Sequence, residues 1–136
     1  MAFQFSGASR NAALDAIETA IGVSAILKIR TGAQPATCAT ADAGTVLATL
    51  SLPSDWLAAA SAGAKAMAGT WEDTSADAAG TAAHFRIYDS GGATCHIQGT
   101  ITSTLVGTGD MLLDNAVLAA GQDVLITAFS ITAGGA

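Results

Sequence analysis

The sequence predicts a mainly β protein: one β-sandwich or open barrel of about six or seven strands carrying a single N-terminal helix. Three observations lead there. Apolar and polar residues alternate with a period of two in short runs along the chain. Turn signals rich in Gly, Asp, Ser and Pro separate those runs. Only one segment, near the N-terminus, carries helical spacing. At 136 residues the chain fits a single domain, residues 1–136, and a chain of this size buries roughly two thirds of its unfolded surface.

The clearest pair of strands lies within residues 84–102. Phe85 and Ile87 alternate with His84, Arg86 and Tyr88. A turn, Asp89-Ser90-Gly91-Gly92, follows, with glycines suited to positive φ. Ile97 and Ile101 then alternate with His96, Gln98, Thr100 and Thr102. This is a hairpin with one apolar and one polar face. An isolated hairpin is only marginally stable in water, so the other apolar segments must cover it.

In chain order, Phe3 and Phe5 alternate with Gln4 ahead of Ser6 and Gly7, so residues 1–7 read as an N-terminal arm. Apolar side chains on such an arm suggest attachment by strand addition to a partner. Ser9 is suited to cap a helix over residues 10–21, with Leu14, Ile17 and Ile21 on the stripe facing the sheet. Asp15 and Glu18 lie on another stripe, in keeping with the positive end of the helix dipole, and Gly22 ends the helix.

Residues 25–31 form a strand. Residues 32–44 form a long loop containing Pro35, Cys38 and Asp42. Residues 45–52 form another strand, which Pro53 stops. Ser54 is suited to cap a helical turn at Asp55, Trp56 and Leu57, a reading evenly balanced against extended chain. Residues 72–80 read as an acidic loop, and residues 111–118 and 123–132 as two more strands. Because Val124, Leu125 and Ile126 are consecutive, the start of the last strand is expected to be buried on both faces.

Composition narrows the function classes. Eleven acids against five bases give a net charge of -6, and Arg10, Lys28, Arg30, Lys65 and Arg86 are scattered along the sequence. Direct nucleic-acid binding is not expected of such a chain, because phosphate backbones call for clustered cations. Charged residues make up 12%, well below the roughly 25% of ordinary domains. This leaves large areas of small, neutral surface that a partner can desolvate. No apolar run approaches the roughly 20 residues that span a bilayer. The N-terminal residues lack a basic segment followed by an apolar one, so neither a membrane span nor a signal peptide is expected. Cys38 and Cys95 make no disulfide framework and read as buried thiols.

No constellation points to catalysis or a cofactor. Cys95 and His96 are neighbours on a strand and point to opposite faces, so with His84 and Cys38 they make a poor metal or nucleophile–base set. An inward Cys95 with outward histidines is preferred. Asp55, Glu72, Asp73, Asp77, Asp110 and Asp114 show no calcium-loop spacing. Arg86 is expected to pair with an acid such as Glu72 or Asp89. In a chain with 5% aromatic residues, Trp56 and Trp71 read first as packing groups and second as anchors for a partner or a sugar. The candidate partner interface is therefore Phe3, Phe5, Trp56, Trp71 and Glu72.

Residues 69–71, continuing through 77–82 into His84-Phe85-Arg86-Ile87-Tyr88-Asp89, resemble small virion structural proteins of tailed bacteriophages. Those with a flagellum-dependent, long non-contractile tail come closest. The segment from Arg10-Asn11 to Glu18 and the segment Leu52-Pro53-Ser54-Asp55-Trp56 share the resemblance, which therefore covers most of the chain. It implies a non-enzymatic cement, or decoration, protein made in the host cytoplasm and placed on the outer capsid surface. There it would bind the major capsid protein as a homo-oligomer, a trimer among the options, and stabilise subunit junctions without cofactor, direct nucleic-acid contact or membrane. The alternative is a tail or fibre component that binds host surface carbohydrate.

Overall fold

The computed structural model describes residues 3–136. Ten strands and one helix make a mainly β domain built on one curled, half-barrel sheet. Helix α1 spans Gly7–Ile21. The strands are β1 (Ile26–Arg30), β2 (Val46–Ser51), β3 (Ala64–Ala66), β4 (Glu72–Asp73), β5 (Gly80–Thr81), β6 (His84–Tyr88), β7 (Cys95–Ser103), β8 (Met111–Leu113), β9 (Val117–Leu118) and β10 (Val124–Thr132). The main sheet runs β2-β1-β6-β7-β8-β10-β3, with β4 attached to β10, and β5 pairs with β9 separately.

The helix begins earlier than Ser9. Ser6 is extended, and its side chain accepts the Ser9 N–H at 3.1 Å, so Gly7 and Ala8 join the first turn. Gly22, at φ +90°, closes the other end by donating its N–H to Glu18 O at 2.8 Å. Leu14 and Ile21 are buried, but Ile17 is 39% exposed, which corrects the expected stripe. On a helical wheel Ile17 lies about 60° from Leu14, on the side away from Asp15 and Glu18. The helix is turned towards its polar edge because three side chains there hold β3 and the turn before it. Asp15 and Glu18 grip Lys65, and Asn11 Oδ1 accepts the Gly63 N–H. No acid lies in the first turn. Asp15 and Glu18 act on Lys65 rather than on the helix dipole.

The β6–β7 hairpin forms as its alternation predicts, with Phe85 opposite Gly99 and Arg86 opposite Gln98. At its turn Gly92 alone of the two glycines takes positive φ, +70°, and donates its N–H to Asp89 O at 2.9 Å. A bulge between Ile87 and Tyr88 sets Cys95, not His96, opposite Tyr88. Because one residue of slip reverses every side chain, Cys95 lies on the polar face and not inward as expected. Strand β6 is buried at all five positions, so the polar face of this hairpin is covered too.

The inner face joins a core containing Leu27, Ile29, Leu47, Leu50, Phe85, Ile87, Ile101 and Met111. Trp56 and Trp71 lie 5.9 Å apart between ring centroids. Phe129 continues the stack at 5.6 Å from Trp71 and 5.6 Å from Phe85. Both indole N–H groups donate to carbonyls at 3.0 Å, Trp56 to Gly22 and Trp71 to Ala68.

No helical turn forms at Ser54. The chain is extended, with Ala58 N–H donating to Ala66 O at 2.8 Å and Leu57 bridging Met67, so residues 56–61 cover the β3 edge. At the other edge, Asp73 and Asp77 close β2: Thr49 N–H donates to Asp73 Oδ2 at 3.0 Å and Asp77 N–H to Leu47 O at 2.7 Å.

The expected strand over residues 111–118 is two strands, β8 and β9. The side chain of Asp114 accepts the Asn115 and Leu125 N–H groups, and that of Asn115 accepts the Val117 N–H, so the ladder breaks at this Asp-Asn pair. In β10, Val124 and Ile126 are buried while Leu125 is 37% exposed. The consecutive apolar residues therefore alternate, and the start of the strand is buried on one face only.

Candidate partner interface

The arm is tied to the C-terminal tail. Phe5 N–H donates to Gly135 O at 2.7 Å, and the Phe5 ring lies over Gly135, where a Cβ would come within 2.6 Å of it. The tail is fixed in turn from below. Arg10 donates twice to Ala133 O, at 3.2 and 3.1 Å, and Ala133 N–H donates to Gly63 O at 2.9 Å. Phe3 and Phe5 meet edge to face at 5.1 Å between centroids and remain 67% and 50% exposed. A cavity of about 270 Å³ opens beside them, lined by Phe5, Ser9, Arg10, Ala13, Ala133 and Gly134. The first two residues of the proposed arm, Met1 and Ala2, lie outside the described residues.

A second groove, about 730 Å³, runs between α1 and residues 54–59, with Asp15, Glu18, Val23, Asp55 and Lys65 on its wall. Lys65 is buried, and its amine contacts both Asp15 Oδ1 and Glu18 Oε2 at 2.7 Å. Burial alone would lower its pKa, but the hydrogen bonds it donates to the two carboxylates override that and hold it above the ordinary lysine value. The Asp15 carboxyl is correspondingly lowered, chiefly by the Lys65 hydrogen bond and then by the Ala60 N–H. Both acids are thus committed to one cation, an arrangement that fastens α1 to the sheet.

The third polar assembly lies on the outer face of β1, β6 and β7, under the loop of residues 32–44. Strand register brings Lys28 opposite Arg86 and Arg30 opposite His84, so three of the five basic residues, scattered in sequence, converge in space. Arg86 is the anchor. It donates to Asp42 Oδ1 at 2.7 Å, Thr37 O at 2.9 Å, Thr40 O at 3.0 Å and Gln98 Oε1 at 3.1 Å. Its acid partner is therefore Asp42, neither Glu72 nor Asp89. Arg30 takes the other oxygen of Asp42 at 2.9 Å, and Tyr88 OH donates to Oδ1 at 2.7 Å. Burial by itself raises the Asp42 pKa; the bonds from Tyr88 and Arg86 and the two guanidinium charges bring it below the usual aspartate value. Two cations share one carboxylate, and loop carbonyls with Gln98 supply the other acceptors of Arg86, while the buried Arg30 Nε has no hydrogen-bond partner among the described residues.

The five residues named from sequence therefore do not form one surface. Trp56 and Trp71 are fully buried and belong to the core, because the chain has few other large side chains to fill it. Glu72 is exposed and pairs in register with Leu125. That is about 23 Å along β10 from the tail that holds Phe5. Phe3 and Phe5 remain. Sequence reading missed Arg10 and the tail residues Ala133, Gly134 and Gly135, which give the arm its seat; the closing Gly-Gly was the available signal.

The four residues weighed for a metal are split. Cys95 Sγ contacts Cys38 Sγ at 2.8 Å. His84 instead donates Nδ1–H to Gly32 O at 2.8 Å, four strand positions from Tyr88, and His96 is exposed. His84 lies on the outer face, as expected from sequence, but is fully buried there beneath the loop that begins at Gly32. Among the described residues no group of three or more His, Cys, Asp or Glu is placed to hold a metal ion, and no helix is long and apolar enough to cross a membrane. The chain matches no protein-family model, no curated protein and no solved structure.

Proposed function

We propose that the protein is a non-enzymatic virion structural protein, a cement protein that attaches to the outer surface of a phage capsid through its N-terminal arm. The observation that carries this reading is the exposed Phe3–Phe5 pair, held on a seat that Arg10 and the C-terminal tail build. Apolar rings on an ordered arm lower solubility and contribute little to the isolated fold, so a partner surface is their natural use.

The size of the patch favours a lattice partner. Covering the exposed parts of two phenylalanines buries about 200–300 Å², far below the roughly 1,200–2,000 Å² of a stable pairwise interface. Such a contact is effective when several copies engage one shell together. The resemblance to small virion proteins points the same way, with the major capsid protein as partner and a homo-oligomer as the attaching unit. The carbohydrate-binding alternative has lost its sequence argument, since neither tryptophan reaches the surface.

Two measurements test the proposal. Quantifying the chain in purified virions should give on the order of hundreds of copies, whereas about six or fewer would indicate a tail component. The double variant Phe3→Ser/Phe5→Ser should lose co-sedimentation with expanded capsids while its Tm shifts by only a few degrees. Retained co-sedimentation would sink the arm as the attachment element. Ser6 is left intact because it caps α1.

A further inference from the structure

The two cysteines form a site of their own. Cys38 lies in the loop of residues 32–44, and Cys95 opens β7 on the face that this loop covers. They are 57 positions apart in sequence, both are half-buried, and their sulfurs touch at 2.8 Å. Two independent features hold them there. The bulge opposite Ile87 and Tyr88 turns Cys95 to the outer face. Arg86, through the Thr37 and Thr40 carbonyls on either side of Cys38, fixes the loop above it. The contact is therefore pre-formed by backbone and polar anchoring and does not depend on a bond between the sulfurs.

We propose that Cys38 and Cys95 are a reversible thiol–disulfide pair, oxidised by low-molecular-weight disulfides, that staples the loop of residues 32–44 to the β6–β7 hairpin. The inference is independent of the attachment function. With oxidised glutathione as oxidant the exchange balances in two steps. Cys38 thiolate attacks one glutathione sulfur, forming a mixed disulfide and releasing glutathione thiolate. Cys95 then loses its proton and attacks the Cys38 sulfur, releasing the second glutathione, so two protein thiols are oxidised and one glutathione disulfide is reduced.

The order follows from the environment. Burial first, and the hydrogen bond to Cys38 second, push the Cys95 thiol up to about 12, which makes it a poor first nucleophile. Once Cys38 carries glutathione, its own contribution to that elevation is gone. The staple closes a long loop and joins a segment without regular secondary structure to the centre of the sheet, so it acts mainly by restricting the unfolded chain.

The test uses the full-length protein in glutathione buffers of graded ratio. Oxidation should remove both thiols and lower the mass by about 2 Da, with no glutathione retained. Peptide mapping should recover a Cys38–Cys95 cross-link within one chain. Tm should rise by about 5–15 °C and return on adding dithiothreitol. Cys95→Ser should stop at the mixed disulfide on Cys38 and show no such rise. Two glutathiones per chain, disulfide-linked dimers, or thiols that survive oxidising buffer would each overturn the proposal. A Cys38–Cys95 cross-link with an unchanged Tm would overturn the staple.

Discussion

Both faces of β6, at the centre of the β1–β6–β7 region, are buried, and they are held by different physics. On the inner face Leu27, Ile29, Phe85 and Ile87 meet other apolar side chains, and the gain grows with area wherever the contact falls. On the outer face Arg30, Arg86 and Tyr88 are buried under a loop, and nothing is gained unless each donor finds its acceptor. The inner face tolerates variation in partner and is cooperative with the whole domain. The outer face depends on one carboxylate, Asp42, and a few loop carbonyls, so it is specific and local.

Adjacent residues on β6 give the sharpest contrast. Phe85→Ala should cost about 3–5 kcal/mol by leaving a cavity beside Phe129. Arg86→Ala should cost less, about 1–3 kcal/mol, because the Thr37 and Thr40 carbonyls lose their donor while Asp42 keeps Arg30 and Tyr88. The two losses should differ in distribution. Amide exchange in Phe85→Ala should accelerate throughout the sheet, whereas in Arg86→Ala residues 33–44 should open first. Uniform acceleration in both variants would break the distinction between the faces.

This difference also explains what the sequence makes legible. Period-two alternation reports an apolar face directly, so the hairpin, the strand at Val46–Ser51 and the mainly β class were readable. Burial of the opposite face depends on Asp42, some 44 positions from Arg86, and no local pattern carries that pairing. The same limit hid the rotation of α1, since Ile17 is exposed because Lys65, far along the chain, draws Asp15 and Glu18 inward. Cys95 was misplaced by a single bulge that shifts the register without a sequence signal. The arm was legible as two alternating phenylalanines, but its seat was not, because Arg10 and Ala133 meet only when the chain has folded.

Acid should separate the two faces without mutation. The folded-state pKa of Asp42 lies below the model-peptide value of 3.8, so its stabilising contribution is complete above that value and is lost as pH falls through the folded pKa. Proteolysis or amide exchange in residues 33–44 should therefore increase below about pH 3.8 while the near-ultraviolet signal of Trp56 and Trp71 persists. Asp42→Asn should show the loosened loop already at neutral pH. If loop and core respond together in the wild type, the outer face is not an independently opening unit.

The helix offers a milder test of the same rule. Ile17→Asp should change stability by no more than roughly 0.5 kcal/mol, as for ordinary surface positions, because the side chain is exposed. Leu14→Asp, one turn earlier and buried, should prevent soluble folding. Loss of folding in Ile17→Asp would mean that the helix packs on its apolar stripe after all.

The smallest expected effect is at β4, where acidic side chains meet without a cation. Glu72 is held above its ordinary pKa, first by a hydrogen bond with Asp123 and then by the repulsion of that carboxylate. A raised folded-state pKa means that the pair's contribution is present below the unfolded value of 4.5 and is lost as pH rises through the folded value. At neutral pH two like charges face each other at an exposed site, the inverse of the Asp42 assembly. Glu72→Gln removes one charge and keeps a donor for Asp123, so Tm at pH 7 should rise by no more than about 2 °C, with no gain at pH 4. A gain of equal size at both pH values would show that the glutamine acts by some route other than relief of repulsion. The cost of an uncompensated acid at this edge would then be too small to measure beside the compensated one under the loop.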